Sequence, residues 1–209
     1  MGMAYDGCLF VDGLDKDGIR ALAERAALLG FSGVVLCTQR PRSVRKLTRI
    51  AGALRETLGL DISVRLEIYR PSPVEAKRLL RKLRRLVELV SIVPSDRQAM
   101  SFACRDRRVD IVSLDPFAYV PVYRGDWQSI VSQGKLVELR AYPLITAPDP
   151  VSVAKVLEKY VRWVERAPKR ALSNFLLSSG ATSPEHLVSP ITLRALALSL
   201  GLNSAGFDA

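Results

Sequence analysis

Along this chain, short continuous apolar runs alternate with stretches whose apolar residues recur every three or four positions. Residues 5–11 read as a strand. Asp15 then caps a predicted helix with Ile19, Leu22, Ala23, Ala26 and Leu29 on one face, and Gly30 stops it. Residues 33–37 are apolar throughout, as strands buried on both faces of a parallel sheet tend to be. Ser43 is expected to cap a second helix running to Leu58, with Leu47, Ile50, Ala51, Leu54 and Leu58 on its apolar face. Strands follow at 62–68, 89–93, 109–114, 136–140 and 174–177. Helices are expected from Pro73 to near Val87, and at 96–105, 128–133, 152–166 and 191–200, while 117–126, with Pro121 inside it and Pro116 just before it, reads as irregular. These are seven β-α steps with no linker and no low-complexity segment, so residues 1–209 read as a single α/β domain. Its parallel strands are joined by right-handed crossovers. Periodicity alone does not separate an open doubly wound sheet from a closed barrel. No G-x-G-x-x-G follows the first strand, which removes the main open-sheet nucleotide signature, and seven strands is one short of a (β/α)₈ barrel.

Composition narrows the class. The 209 residues are 48% hydrophobic and carry a formal charge of +10, far too apolar for a disordered basic tail. No apolar run is long enough to span a membrane. Residues 1–10 lack the basic-then-apolar order of a secretory signal. Cys8, Cys37 and Cys104 are odd in number and widely spaced, so they are expected to be reduced thiols of a cytoplasmic protein. The one histidine, His186, argues against a metal hydrolase or a Ser-His-Asp triad. No metal site and no catalytic residue are expected.

The positive charge is patterned. Arg42, Arg45, Lys46 and Arg49 recur at i, i+3, i+4, i+7, opposite the apolar face of the second helix. Arg78, Arg81, Lys82 and Arg85 repeat the spacing on the third, and Lys77 and Arg84 widen the stripe. Only Glu75 and Glu88 are acidic nearby. A one-signed stripe is self-repelling unless a polyanion neutralises it, and phosphates do so with release of counterions. The competing reading is a solvated arginine-rich face. Arg97, Arg105, Arg107 and Arg108 add further cations. Lys155, Lys159, Arg162 and Arg166 alternate with Glu158 and Glu165, so that helix is expected to present a salt-bridged solvent face. Trp127 and Trp163 could stack on bases, though core packing is the commoner use of lone tryptophans. Recognition of RNA would then rest on phosphate and shape rather than base edges.

Strand ends supply Asp12, Glu67, Arg70, Asp115, Glu138 and Arg140. One reading makes a small TIM-barrel hydrolase that uses Glu67, Asp115 and Glu138. The favoured one pairs Glu67 or Glu138 with Arg65 or Arg140 inside or above a barrel, because buried charges persist mainly as pairs. After the last strand, Ser178 and Ser179 precede Gly180 in a loop that could hold a phosphate.

The assembled segments resemble a known family. Val64-Arg65-Leu66-Glu67-Ile68 leads into Pro71-Ser72-Pro73 and the basic helix. Leu89-Val90-Ser91-Ile92-Val93 follows, then Cys104 and Arg107-Arg108-Val109-Asp110-Ile111-Val112-Ser113. The last third gives Leu176-Leu177-Ser178-Ser179-Gly180-Ala181, then Leu187-Val188-Ser189-Pro190 and residues 196–201. In this order they are similar to ribonuclease P protein component 3, the thirty-kilodalton subunit family of archaea and eukaryotes. Tyr5-Asp6 and Gly30-Phe31-Ser32-Gly33-Val34-Val35-Leu36 fit its first two strands. The resemblance implies a TIM-barrel-like fold in a ribonucleoprotein endonuclease that removes the 5′ leader of precursor tRNA. It also implies that the RNA subunit performs the Mg²⁺-dependent cleavage, so no cofactor is expected on this chain. The implied partners are ribonuclease P RNA, protein component 2, other ribonuclease P proteins and, indirectly, precursor tRNA. Arg42, Arg45, Lys46, Arg49, Arg78, Arg81, Lys82 and Arg85 are then the expected RNA contacts, with Arg107, Arg108, Ser178 and Ser179 secondary. The family usually has a clear helix around 119–133, where this chain carries Pro121 and Gly125, and its members often continue past the point equivalent to Ala209. Closure by an eighth strand is therefore not implied.

Overall fold

A computed structural model describes residues 4–202. Its strands are β1 (Tyr5–Phe10), β2 (Gly33–Thr38), β3 (Asp61–Tyr69), β4 (Leu89–Val93), β5 (Ile111–Ser113), β6 (Leu136–Arg140) and β7 (Phe175–Ser178). Between and after them run α1 (Lys16–Leu28), α2 (Val44–Leu58), α3 (Pro73–Leu83), α4 (Arg97–Arg105), α5 (Arg124–Ser132), α6 (Tyr142–Ile145), α7 (Pro150–Glu165) and α8 (Pro190–Ser199). The seven strands pair in sequence order and every pair is parallel. The sheet curls until its first and last strands meet, which settles the architecture as a nearly closed, TIM-barrel-like ring. Among the described residues there is no eighth strand.

The seam is held by few groups. Leu9 and Ala181 form an isolated parallel bridge, and the Phe10 amide donates to the Ala181 carbonyl at 2.7 Å. The β1 register slips against β2 between Asp6 and Leu9. Next to that slip, Asp6 Oδ1 accepts from the Ser179 amide at 3.1 Å. A side chain thus meets a main-chain donor of the other edge where a regular ladder would supply a carbonyl.

Alternation along the strands decides what fills the ring. Val64, Leu66 and Ile68 of β3, Val90 and Ile92 of β4, Val137 and Leu139 of β6 and Phe175 and Leu177 of β7 belong to the hydrophobic layer shared with the helices. The intervening residues are Arg65, Glu67, Ser91, Glu138, Ser178 and one apolar member, Leu176, and all are buried. Period-2 geometry therefore sorts an apolar shell from a largely polar interior.

Several boundaries differ from the sequence expectation. Ser43 does not cap α2 with its side chain. Pro41 opens a 3-10 turn, Pro41–Ser43, and Ser43 is already in helical geometry at its end. α3 stops at Leu83 and tightens into a 3-10 turn, Arg84–Leu86, where the Arg84 guanidinium bonds the carbonyls of Val87 and Glu88 and the carboxylate of Asp110. α5 begins at Arg124, earlier than its apolar spacing suggests, because the Asp126 carboxylate folds back to accept the Tyr123 amide at 3.0 Å. The segment expected to be irregular to residue 126 thus ends at Tyr123. The four-residue α6 carries too little periodicity to be read from sequence. Asp15 does act as the expected N-cap, and Asp96 and Ser189 cap α4 and α8 in the same way, each accepting an amide three residues on.

One buried lysine fastens the floor of the ring. Lys135 is 3% exposed, and its ammonium donates to the carbonyls of Ala103, Asp106 and Val109, which follow one another from the end of α4 to the start of β5. Burial lowers its pKa, yet all three donors are used. Lys135→Met keeps the stem and leaves three carbonyls short of a partner. We expect a loss of about 1–2 kcal/mol, read as a lower urea midpoint; an unchanged midpoint would show that water replaces the ammonium.

Candidate nucleic-acid interface

At the carboxyl ends of the strands lies a hollow of about 390 Å³, walled by Phe10, Tyr69, Phe117 and Tyr142 and bordered by Asp12, Asp115 and Arg140. In barrels of this class this is where chemistry collects. Its acids are already committed. Asp115 accepts from Arg70 at 2.7 Å and from the Phe117 amide at 2.9 Å. Asp12 accepts from the Thr38 hydroxyl and the Gln39 amide.

Beneath the hollow, two carboxylates and two guanidiniums neutralise one another. Arg65 donates to both oxygens of Glu138 (2.7 and 2.6 Å), to Glu67 (3.0 Å), to the hydroxyls of Ser91 and Ser113 and to the carbonyl of Gly7. Every donor of its guanidinium is engaged. Arg140 bridges Glu67 and Glu138 from above, with its guanidinium 4.9 Å from the centroid of the Phe10 ring. Burial pushes the Glu138 carboxyl upward. Arg140 and Arg65, with hydrogen bonds from Arg65 and Ser113, outweigh it and hold the group well below the ordinary carboxylate range. The ion-pair reading of these residues is thus the one the geometry gives. Neither glutamate has the free oxygen that a general base needs, and among the described residues no three His, Cys, Asp or Glu side chains gather as a metal-ligand set.

The basic residues lie outside. Arg42, Arg45, Lys46, Arg49, Arg78, Arg81, Lys82 and Arg85 are all exposed, and within the described residues none has a carboxylate within 4 Å. α2 and the turn ending α3 are neighbours, since the Thr48 hydroxyl lies 3.3 Å from the Leu86 carbonyl. The two stripes therefore sit on adjacent elements. Glu88, one of the two acids nearby in sequence, is taken by Arg55 rather than by the stripe.

The other expected sites fare differently. Arg84 is half-buried and paired with Asp110, so it does not widen the stripe. Arg107 is exposed, whereas Arg108 folds back on Asp106 through Nε and Nη2. Ser178 and Ser179 are fully buried. The Ser178 hydroxyl donates to Glu138 at 2.8 Å, and the Ser179 amide is held by Asp6. Neither has surface to offer a phosphate, because the strand carries them into the ring before Gly180 turns the chain at φ +64°. Trp127 and Trp163 are buried too. On α7, among the described residues, only Arg162 pairs as expected, with Glu158. Arg166 instead joins Arg124 and Arg170 around a second hollow. Nothing in the local spacing of those three, which come from separate elements, signals that they meet.

The family model described as RNase P subunit p30 matches residues 3–206. No curated protein matches the chain. Among solved structures, the chain is similar to a chain of the cryo-EM structure of archaeal Ribonuclease P with mature tRNA. The two superpose with a TM-score of 0.75 at 17% identity, over 94% of this chain and 82% of that one. A putative histidinol phosphatase from Listeria monocytogenes is similar at TM-score 0.51 and 10% identity, covering 90% and 97% of the two chains. A zinc-bound amidohydrolase from Burkholderia multivorans is similar at TM-score 0.53 and 9% identity, over 98% and 93%. Identities this low carry the fold alone. None of the helices in the described residues is long and apolar enough to cross a membrane.

Proposed function

The chain belongs to the RNase P subunit p30 family, and from that premise we propose that it grips ribonuclease P RNA through the basic faces of α2 and α3. It is a protein subunit of RNase P. The finer reading is that it binds and supports the catalytic RNA together with protein component 2, and meets precursor tRNA only indirectly. The RNA supplies the reaction, with Mg²⁺ held there. This chain contributes electrostatic grip and a rigid surface, and no reacting group. One observation carries this reading: eight exposed cations on neighbouring elements, with no acid among the described residues paired to them. Their mutual repulsion costs stability that a polyanion restores on binding. The structural likeness to a chain of archaeal Ribonuclease P with mature tRNA supports the same setting. The hydrolase reading, with Glu67, Asp115 and Glu138 as acids, is not favoured. Two of its three acids are locked against Arg65 and Arg140, and the third against Arg70.

Phosphate contacts announce themselves through salt. Each contact contributes roughly 0.7–0.9 to the slope of log K against log salt concentration. Arg81→Ala/Lys82→Ala should therefore flatten the slope for RNA binding by about 1.5; an unchanged slope in a gel-shift titration would remove α3 from the interface. Reconstituted pre-tRNA cleavage at low Mg²⁺, with and without this chain, tests the subunit role. Cleavage by the protein alone would return the hydrolase reading.

A further inference from the structure

Away from α2 and α3, three cations from three different elements close on one hollow of about 490 Å³. Arg124 opens α5, Arg166 follows the end of α7, and Arg170 sits in the 3-10 turn Lys169–Asn174 that leads into β7. All three are exposed and none has a carboxylate within 4 Å among the described residues. The acids that could neutralise them do not. Asp126, on the same helix as Arg124, is buried against Arg97. Glu165, beside Arg166 in sequence, is exposed and forms no ion pair among the described residues. Arg166 reaches only the Tyr119 hydroxyl, at 3.4 Å.

Val122, Trp127, Ala167 and Pro168 complete the lining, and Trp127 adds a second, independent observation. Its side chain is 2% exposed and packs at 5.7 Å against the ring of Phe175, yet its indole N–H has no acceptor among the described residues. The other tryptophan behaves normally, since the Trp163 indole donates to the Val120 carbonyl at 3.0 Å. A buried donor without an acceptor is uncommon in native proteins. The tryptophan that carries it lines a hollow rimmed by guanidiniums, which are themselves donors only. Such a place is short of acceptor oxygens and of negative charge at once, and a phosphate group supplies both.

We propose that this hollow between α5 and the turn after α7 seats a backbone phosphate of RNA, as a second anchor separate from the α2–α3 stripe. The proposal rests on the RNA-binding reading above for the source of the phosphate. The hollow itself requires only a tetrahedral oxyanion. Two anchors on different parts of the ring would fix the protein's orientation on a folded RNA, which a single stripe leaves free to slide.

The test uses the full chain labelled with ¹⁵N, because its two tryptophans give two indole signals. A six-nucleotide oligouridylate and inorganic phosphate are titrated separately. RNA should move the Trp127 indole resonance in a saturable way and leave that of Trp163 in place. Arg124→Gln/Arg170→Gln should weaken this response roughly tenfold. A still Trp127 signal while RNA binds through the stripe overturns the proposal and spares the stripe. A shift with inorganic phosphate but none with RNA overturns the assignment to RNA and leaves a small-anion site. A response insensitive to the Arg124→Gln/Arg170→Gln change also overturns it. Both positions are exposed, so the variant keeps the fold, and the Trp163 resonance reports that directly.

Discussion

Arg65→Leu should cost about 3–5 kcal/mol of folding stability, measured by urea or thermal unfolding. The side chain is fully buried at the centre of the ring, where it meets Glu67, Glu138, Ser91, Ser113 and Gly7. Deleting it leaves two buried carboxylates to share Arg140. The size of the effect comes from that uncompensated charge, not from the worth of the original pairs, which had to repay their own desolvation. A second variant separates the two. In Arg65→Leu/Glu138→Leu the remaining pair, Glu67 with Arg140, is balanced again, so a good part of the loss should return although three serines lose a partner. A single variant within 1 kcal/mol of the parent would mean that water or a rotated Arg140 already serves the glutamates. The pH dependence has a definite sign. The folded state holds Glu138 ionised far below its unfolded range, so its contribution is complete above about pH 5 and is lost progressively as the solution is acidified below that.

Much of this architecture was legible because barrel strands obey a period of two. The sequence Val64-Arg65-Leu66-Glu67-Ile68 places charges on one face and aliphatics on the other, and the only economical place for two facing glutamates was opposite Arg65 or Arg140. The stripes on α2 and α3 were legible for the same reason at a period of 3.6. What local pattern could not reveal was burial set by neighbours distant in sequence. Ser178 and Ser179 look like turn chemistry beside Gly180, but Glu138 and Asp6, from β6 and β1, draw them inward. Arg84 shares the spacing of the stripe, yet Asp110 captures it from the next crossover. Arg124, Arg166 and Arg170 meet only because α5 packs on the turn after α7. Closure of the ring was beyond the sequence too. It depends on the Leu9–Ala181 bridge and the Asp6–Ser179 contact, which join opposite ends of the chain.

That second contact sets a cost, and Asp6→Asn should relieve it, stabilising the protein by on the order of 2 kcal/mol at pH 7. Asp6 is fully buried; Oδ1 accepts from the amides of Cys8 and Ser179, while Oδ2 has no partner among the described residues. Burial pushes its carboxyl up to about 6 against those hydrogen bonds, and Glu138 adds to the push. An unfolded aspartate titrates near 4. Between about pH 4 and 6 the folded chain therefore keeps a proton that the unfolded chain has released. Stability falls as pH rises through that window, and the full penalty persists above it. The asparagine keeps the acceptor for both amides and removes the charge, so the variant should lose this slope entirely. Glu138 acts in the opposite sense below about pH 5, so the parent should be most stable at mildly acidic pH. Asp6→Asn should instead hold its maximum through neutrality. Parallel stability curves for the two proteins from pH 4 to 7 would show that Asp6 titrates alike in the folded and unfolded chains, and that its burial at the seam carries no such cost.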